Sequence, residues 1–278
     1  MKQLNICIYL AALAALIPTR SDAQVLDPSD DGIVRKSNMH HNQDKEPVEY
    51  AYLHEDDILW SERHWERIQV KEKINLPLFY PLKPIPDRMS LWDVLIDGAM
   101  NEEYSSMPRV YDDEYFTTQL GEDELKSIIA DTTQYWEFGI LTEIDTIYIR
   151  SGDIVSYQIK SDWYFDKKRG ELKNRIIGIA PEIKNEDGQA TPIFWFWFPD
   201  ARKPMANSVA FNEKNFKQRL TFDEIMHLRK FSSTIIKVDN VYGRTIEEYN
   251  RNRSMNQLLE AARLKEDLRN KEHDMWTY

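Results

Sequence analysis

The sequence VSYQIKSDWYF, at residues 155–165, decides the fold class of this 278-residue chain. Large apolar side chains alternate in it with polar ones, so every second residue falls on the same side of an extended backbone. The apolar side carries Val155, Tyr157, Ile159, Trp163 and Phe165, and the polar side carries Ser156, Gln158, Lys160 and Asp162. This period of two predicts a β-strand with one face buried.

Similar runs lie before and after this strand. Residues 144–150 precede it across a short turn, and residues 172–180 follow it across another. Residues 193–198, IFWFWF, are apolar at every position, which indicates a strand that is covered on both faces. Because the connections between these strands are short, they predict an antiparallel meander of about four strands.

Helical signals flank the meander on both sides. From Asp56 onward, acidic residues begin and lysines end a stretch with apolar residues at helical spacing, which predicts a helix that stops at Asn75. Two short helices are predicted at residues 90–100 and 122–130. The sequence therefore predicts an α+β fold with a single domain over residues 55–278.

The C-terminal region is predicted to form a long, highly charged helix from Thr245 to about Met275. Thr245 begins the capping box TIEE, and a similar box begins at Thr221. Because the apolar stripe of the long helix is narrow, we expect the helix to project from the domain and contribute to a protein–protein contact. Packing against its own sheet is the alternative. The candidate interface residues are Trp195, Trp197, Leu258, Leu264, Leu268 and Trp276.

The N-terminus has the parts of a secretory signal peptide. Lys2 is followed by an apolar run, and the sequence SDA at 21–23 supplies small residues three and one positions before a cleavage site between Ala23 and Gln24. The single cysteine, Cys7, lies inside this signal, so the exported chain forms no disulfide. Residues 24–54 are polar and without a hydrophobic period, which predicts a flexible arm. We expect the mature protein to work in a bacterial periplasm.

The charge balance argues against one class of partner. The chain has 36 Lys and Arg residues against 47 Asp and Glu residues, which gives a net charge of −11. A nucleic-acid-binding protein needs a basic face, so no nucleic acid is expected as a partner. The same balance argues against electrostatic docking on an anionic membrane surface.

The sequence carries no familiar catalytic or cofactor motif. It has no HExxH, P-loop, GxGxxG or GxSxG pattern, so we expect no enzyme activity, cofactor or metal. Adjacent histidines at 40 and 41, near Asp44, do not form the fixed set of ligands that a metal site requires. Asp162 and Asp166 flank an aromatic triplet and leave one alternative open, a periplasmic glycan-active or glycan-binding protein.

A series of short words runs through the chain in order. The series is DDILW at 56–60, EKINLP at 72–77, DWYFD at 162–166, RIIGIAP at 175–181, FWFWFP at 194–199, RKFSS at 229–233, NVYGR at 240–244 and EHDMW at 272–276. In this order and spacing the series resembles the GldN/PorN family of the Bacteroidetes type IX secretion and gliding machinery. At Gly243 the chain departs from the pattern, where an acidic residue is expected.

The resemblance implies a structural role with defined partners. It implies a periplasmic protein that assembles with an outer-membrane lipoprotein of the GldK/PorK type into a large ring. The periplasmic region of an inner-membrane motor protein of the GldM/PorM type is expected to contact that ring. The protein would then be held at the outer membrane peripherally, through the lipoprotein. The family carries no known catalytic residue, so the resemblance implies none here.

Overall fold

The structure is a computed structural model that describes residues 46–85, 88–100, 107–137, 140–185, 188–212, 220–250 and 254–275, with backbone alone for 131–147. The strands are β1 Ile58–Gln69, β2 Val110–Tyr111, β3 Ala130–Glu137, β4 Ile140–Tyr148, β5 Ile154–Asp166, β6 Glu171–Lys184, β7 Ala190–Pro192, β8 Trp195–Trp197, β9 Val209–Ala210, β10 Leu220–Thr221 and β11 Thr234–Val238. The α-helices are α1 Leu76–Phe79, α2 Leu91–Met100, α3 Glu122–Ile129, α4 Phe198–Asn207, α5 Phe222–His227, α6 Ile246–Tyr249 and α7 Ser254–Met275.

The main sheet is antiparallel and has the strand order β11-β1-β5-β6-β8-β2, with β7 also paired to β6. Together with the helices it confirms the predicted α+β class. The pairing differs from a simple meander, because β4 forms a separate two-stranded sheet with β3. The place beside β5 belongs instead to β1, which comes from much earlier in the chain.

The prediction of a helix between Asp56 and Asn75 is wrong, since most of that stretch is the strand β1. Its residues do not alternate strictly, because apolar and charged side chains occur on both faces of the strand. On one face, Glu66 lies opposite Ile159 of β5; on the other, Trp65 lies opposite Lys160. Acidic and basic residues near the two ends imitated the charge pattern of a helix.

Strand β5 is buried on both faces, although the sequence predicts that only one of its faces is buried. Ser156 and Lys160, on its polar side, are 0% and 3% exposed. The apolar sequence at 193–198 contributes only the three-residue strand β8, because Phe198 already begins α4 and Pro199 occupies its first turn.

The main core lies where α2, α4 and α5 pack on one face of the sheet. That face contributes Ile68, Ile159 and Ile179, each 0% exposed. A smaller cluster of Trp65 and Trp195 lies on the opposite face. Among the described residues, no helix has both the length and the apolar character to cross a membrane.

The C-terminal helix does not project from the domain, so that prediction is wrong. The capping box at Thr245 begins the short helix α6 and not the long helix. The backbone amide of Glu248 donates to the Thr245 hydroxyl. The long helix α7 begins only at Ser254. Ala261 of α7 packs with Ile235 of β11 and Ile246 of α6, and all three are buried. The helix therefore lies against its own sheet.

Candidate functional site

Helix α7 has a second apolar face that looks away from the domain. Successive residues turn by about 100° around a helix, so Met255, Leu258 and Leu259 fall within about 100° of one another, in a stripe beside the inward stripe that contains Ala261 and Leu268. The outward side chains are 64%, 58% and 57% exposed, whereas Ala261 and Leu268 are 4% and 8% exposed. We call Met255, Leu258 and Leu259 the outward stripe.

Two lysines fasten α7 to the sheet at its inward side. The Nζ of Lys271 donates to Oε2 of Glu62 at 3.0 Å and lies 4.6 Å from the ring centroid of Trp60. The Nζ of Lys265 donates to the backbone carbonyl of Ser233. These contacts fix the rotation of the helix about its axis, so the outward stripe stays exposed without further ordering.

The charged side chains next to the outward stripe are paired with one another. Arg263 bonds to Glu260 at 2.6 Å and to Asp267 at 2.7 Å. The hydrogen bond from Arg263 lowers the pKa of Glu260, which keeps its carboxylate ionised. Since one arginine is paired with two carboxylates, only a single negative charge remains beside the outward stripe, and the stripe offers mainly apolar contact.

A buried polar cluster supports the strand on which α7 rests. Glu66 is 2% exposed and accepts hydrogen bonds from Arg229 and Ser233, each at 2.5 Å. Burial alone raises the pKa of Glu66, but the charge of Arg229 and these hydrogen bonds outweigh it and lower the pKa. Arg229 also bonds to Asn174 at 2.9 Å and lies over the ring of Trp163. The cluster joins β1, β5 and β6 to the residues that lead into β11.

A comparison with protein families bears on this geometry. A family model described as "Gliding motility associated protein GldN" matches residues 53–277. The match begins just before β1 and includes β11 and all of α7. The chain belongs to the GldN family. The predicted resemblance is thus confirmed, and the family is associated with gliding motility. No curated protein matches the chain.

The interface residues predicted for this GldN protein differ in how exposed they are. Trp195 is 2% exposed and Leu268 is buried, so neither presents a surface to a partner in this structure, and the prediction is corrected for both. Leu264 is half-buried and faces the same cluster as Ala261. Trp197 is half-buried against Phe116, with ring centroids 4.9 Å apart. Leu258 is 58% exposed, and Trp276 lies outside the described residues.

The two carboxylates considered for glycan chemistry have structural partners in the GldN domain. Asp162 receives two hydrogen bonds from Arg63, at 2.7 and 2.8 Å. Asp166 is 2% exposed and accepts the backbone amides of Lys168 and Arg169. Neither carboxylate lines an apolar cavity of about 520 Å³ that lies beside α5. These contacts favour a role in turn formation and strand pairing.

Metal binding has no support in the part of the chain that the structure describes. Within those residues, no group of three or more His, Cys, Asp or Glu side chains is placed to hold a metal ion. The histidines at 40 and 41 and Asp44 lie outside the described residues. His54 caps a short helical turn by accepting from the Asp56 amide, and His64, which is 1% exposed, bonds to Glu62.

Sequence reasoning missed Met255 and Leu259 as surface residues. Both lie in the predicted long helix. The apolar stripe predicted from the sequence includes Ala261, Leu264 and Leu268 and proves to be the inward one, and the second apolar stripe was not predicted. The signal that identifies them is the spacing i, i+3, i+4 from Met255, in the first two turns of the helix and beside the inward stripe.

Proposed function

We propose that this GldN protein is a non-enzymatic structural subunit of the type IX protein secretion system, and of the gliding machinery where a host has one. It works in the periplasm, where it assembles with an outer-membrane lipoprotein of the GldK/PorK type into a ring. It also contacts the periplasmic region of a GldM/PorM-type motor protein. The family assignment and the secretory signal at the N-terminus support this proposal.

The observation that carries the proposal is the outward stripe on a helix that is already fixed to its own sheet. Three large apolar side chains at more than half exposure are costly in water, and burial against a partner recovers that cost. Because Lys265 and Lys271 hold the helix in place, binding requires little additional ordering. The stripe is small compared with a standard interface of about 1,600 Å², so it forms one part of a larger contact.

The arrangement of buried charges also supports a structural role. Arg67 pairs with the fully buried Glu182 at 2.7 Å, and Arg202 pairs with the buried Asp223 at 2.8 Å. Glu182 accepts a further hydrogen bond from Ser156. Groups that are paired in this way hold strands and helices together, and a general acid or base would need a free proton-transfer position in a cleft.

Replacing the outward stripe tests the proposal. The double variant Leu258→Ser and Leu259→Ser is expected to melt at nearly the wild-type temperature, since both side chains are exposed. It is expected to lose the lipoprotein that co-purifies with the wild-type protein from gently solubilised outer membranes. Leu228→Ser is the matched control, because Leu228 is 55% exposed on a different element and its replacement should leave co-purification intact.

Two results separate the parts of the proposal. Co-purification of the lipoprotein at wild-type yield with the double variant would show that the outward stripe is not a contact. Recovery of the wild-type protein as a monomer, with no lipoprotein under the same gentle extraction, would contradict the structural-subunit function itself.

A further inference from the structure

The domain contains an apolar cavity of about 520 Å³ on the side of α5 and the β9–β10 pair. Its apolar lining comes from Ile74, Pro77, Ala210, Phe211, Leu220 and Ile225. Ala210 and Ile225 are buried at its base, whereas Ile74 and Phe211 are 57% and 41% exposed at its mouth. A volume of a few hundred Å³ with a mainly apolar wall is typical of a site for a small molecule.

Two basic side chains line this cavity, although the chain as a whole is acidic. Lys73 and Lys230 line the cavity, both are exposed, and neither has an ion-pair partner among the described residues. The guanidinium of Arg88 does not line the cavity but lies 4.9 Å from the ring centroid of Phe211, which does, so a third cation is near. None of the residues that line the cavity is acidic.

We propose that this cavity binds a single-chain anionic amphiphile, with the aliphatic chain against Ile225 and Ala210 and the carboxylate or phosphate head near Lys73 and Lys230. Burial of the ligand's aliphatic chain contributes a favourable binding free energy that grows with the length of that aliphatic chain. The two ammonium groups supply charge-assisted hydrogen bonds to the head, which a neutral amphiphile of equal length does not receive. This binding is independent of the assembly function proposed above.

The charge distribution favours a free amphiphile over the surface of a membrane. A net charge of −11 repels an anionic bilayer, while Lys73 and Lys230, for which the described residues supply no ion-pair partner, attract a single anionic head. The cavity also has room for one aliphatic chain, whereas a bilayer surface presents many lipid chains. The occupant we assign is therefore a single amphiphile molecule, bound from solution or extracted from a membrane.

Calorimetric titration of the purified mature chain tests this site, with dodecanoate as the probe below its micellar concentration. Wild-type protein is expected to bind one dodecanoate per chain, dodecanol more weakly, and acetate not measurably. The double variant Lys73→Met and Lys230→Met is expected to weaken dodecanoate binding by about tenfold or more while leaving dodecanol binding within about twofold. Lys71→Met is the matched control, because Lys71 is exposed nearby but does not line the cavity.

Several results would overturn the inference. One is a failure of dodecanoate to saturate the wild-type protein; another is equal binding of dodecanoate by the wild-type and double-variant chains. Equal affinity for dodecanol and dodecanoate in the wild type would remove the role of the lysines. Sedimentation with phosphatidylglycerol vesicles, in the absence of dodecanoate binding, would assign the lysines to a membrane surface instead. Lipoprotein co-purification is measured separately, so neither proposal decides the other.

Discussion

The ring of Phe116 lies so close to Gly178 that a Cβ added at Gly178 would stand 2.5 Å from Cζ of the ring. The same ring packs edge-on against Trp195 and Trp197, with centroid distances of 6.2 and 4.9 Å. Phe116 reaches this position with a φ of 59°, in the left-handed region that non-glycine residues seldom adopt. Gly178 thus makes room for a loop that crosses the sheet.

Gly178→Ala is expected to lower the free energy of unfolding by about 1–3 kcal/mol, because the added methyl group displaces a packed aromatic ring. In a Phe116→Ala background the same substitution should cost much less, since the obstructing ring is gone. A double-mutant cycle by urea denaturation measures this coupling. Simple additivity of the two single changes would show that the ring and the glycine do not constrain each other.

The loop of Phe116 also shows how far the sequence could predict this face of the sheet. Alternation along β5 correctly placed Lys160 on the polar side. The structure buries it, because its Nζ donates to the Glu114 carbonyl at 2.6 Å and Lys237 bonds to the Glu114 carboxylate at 3.0 Å. Burial lowers the pKa of Lys160. A contact between residues so far apart in the chain leaves no periodic signal, so the covering loop could not be predicted.

Strand β1 was missed for a different physical reason. Its sequence, ILWSERHWERIQ, mixes apolar and charged residues on both faces of a strand, so a period of two is no clearer in it than a helical period. Pairing with β5 and β11 decides between them, because it satisfies the backbone of β1 on both sides. The helices at Leu91 and Glu122 were predicted correctly since their end signals are local. The outward stripe lay within reach of the sequence, but the cavity depends on distant segments.

The buried Glu66 is expected to make the protein sensitive to acid. Its pKa is lowered in the folded state, so its stabilising effect is present above its ordinary value of 4.5 and is lost as the pH falls through the lowered value. Glu66→Gln should reduce the free energy of unfolding at pH 7 by about 3 kcal/mol, because it leaves Arg229 without its carboxylate. The variant should also lose less stability than the wild type when the pH is taken from 6 to 3.

Thermal melts across that pH range check this prediction. Glu62→Gln is a useful comparison, because Glu62 pairs with Lys271 at a more exposed position and should cost about 1 kcal/mol or less. An identical decline with acid in the wild type and in Glu66→Gln would mean that another carboxylate dominates the acid response.

Asn240 is expected to control the loop that follows β11. Its side-chain amide donates to the carbonyls of Val238 and Arg244 at 2.9 Å, and its carbonyl accepts the amides of Tyr242 and Arg244 at 3.1 Å. Gly243 allows the turn with a φ of 62°, a conformation in which an acidic residue would be strained.

Asn240→Ala should therefore loosen the loop and speed cleavage by chymotrypsin after Tyr242, whose side chain is 78% exposed. The expected loss of global stability is about 1–2 kcal/mol. Asn256→Ala, at an exposed position of α7, should leave the cleavage rate at the wild-type value. Equal cleavage of Asn240→Ala and wild type would show that the backbone alone holds the loop.

The two faces of α7 give the sharpest test of its role in the fold. Leu268 is 8% exposed against the sheet and Leu259 is 57% exposed in the outward stripe. Leu268→Ala is expected to lower the free energy of unfolding by about 2–3 kcal/mol, because it leaves a cavity under the helix. Leu259→Ala should change it by less than about 0.5 kcal/mol, as surface substitutions usually do. Urea denaturation of both variants measures the difference.

Truncation after Gln257 should lower the melting temperature sharply, since it removes Ala261, Leu268 and Lys271. A truncated chain that melts like the wild type would show that α7 contributes nothing to the fold, despite its contact with β11.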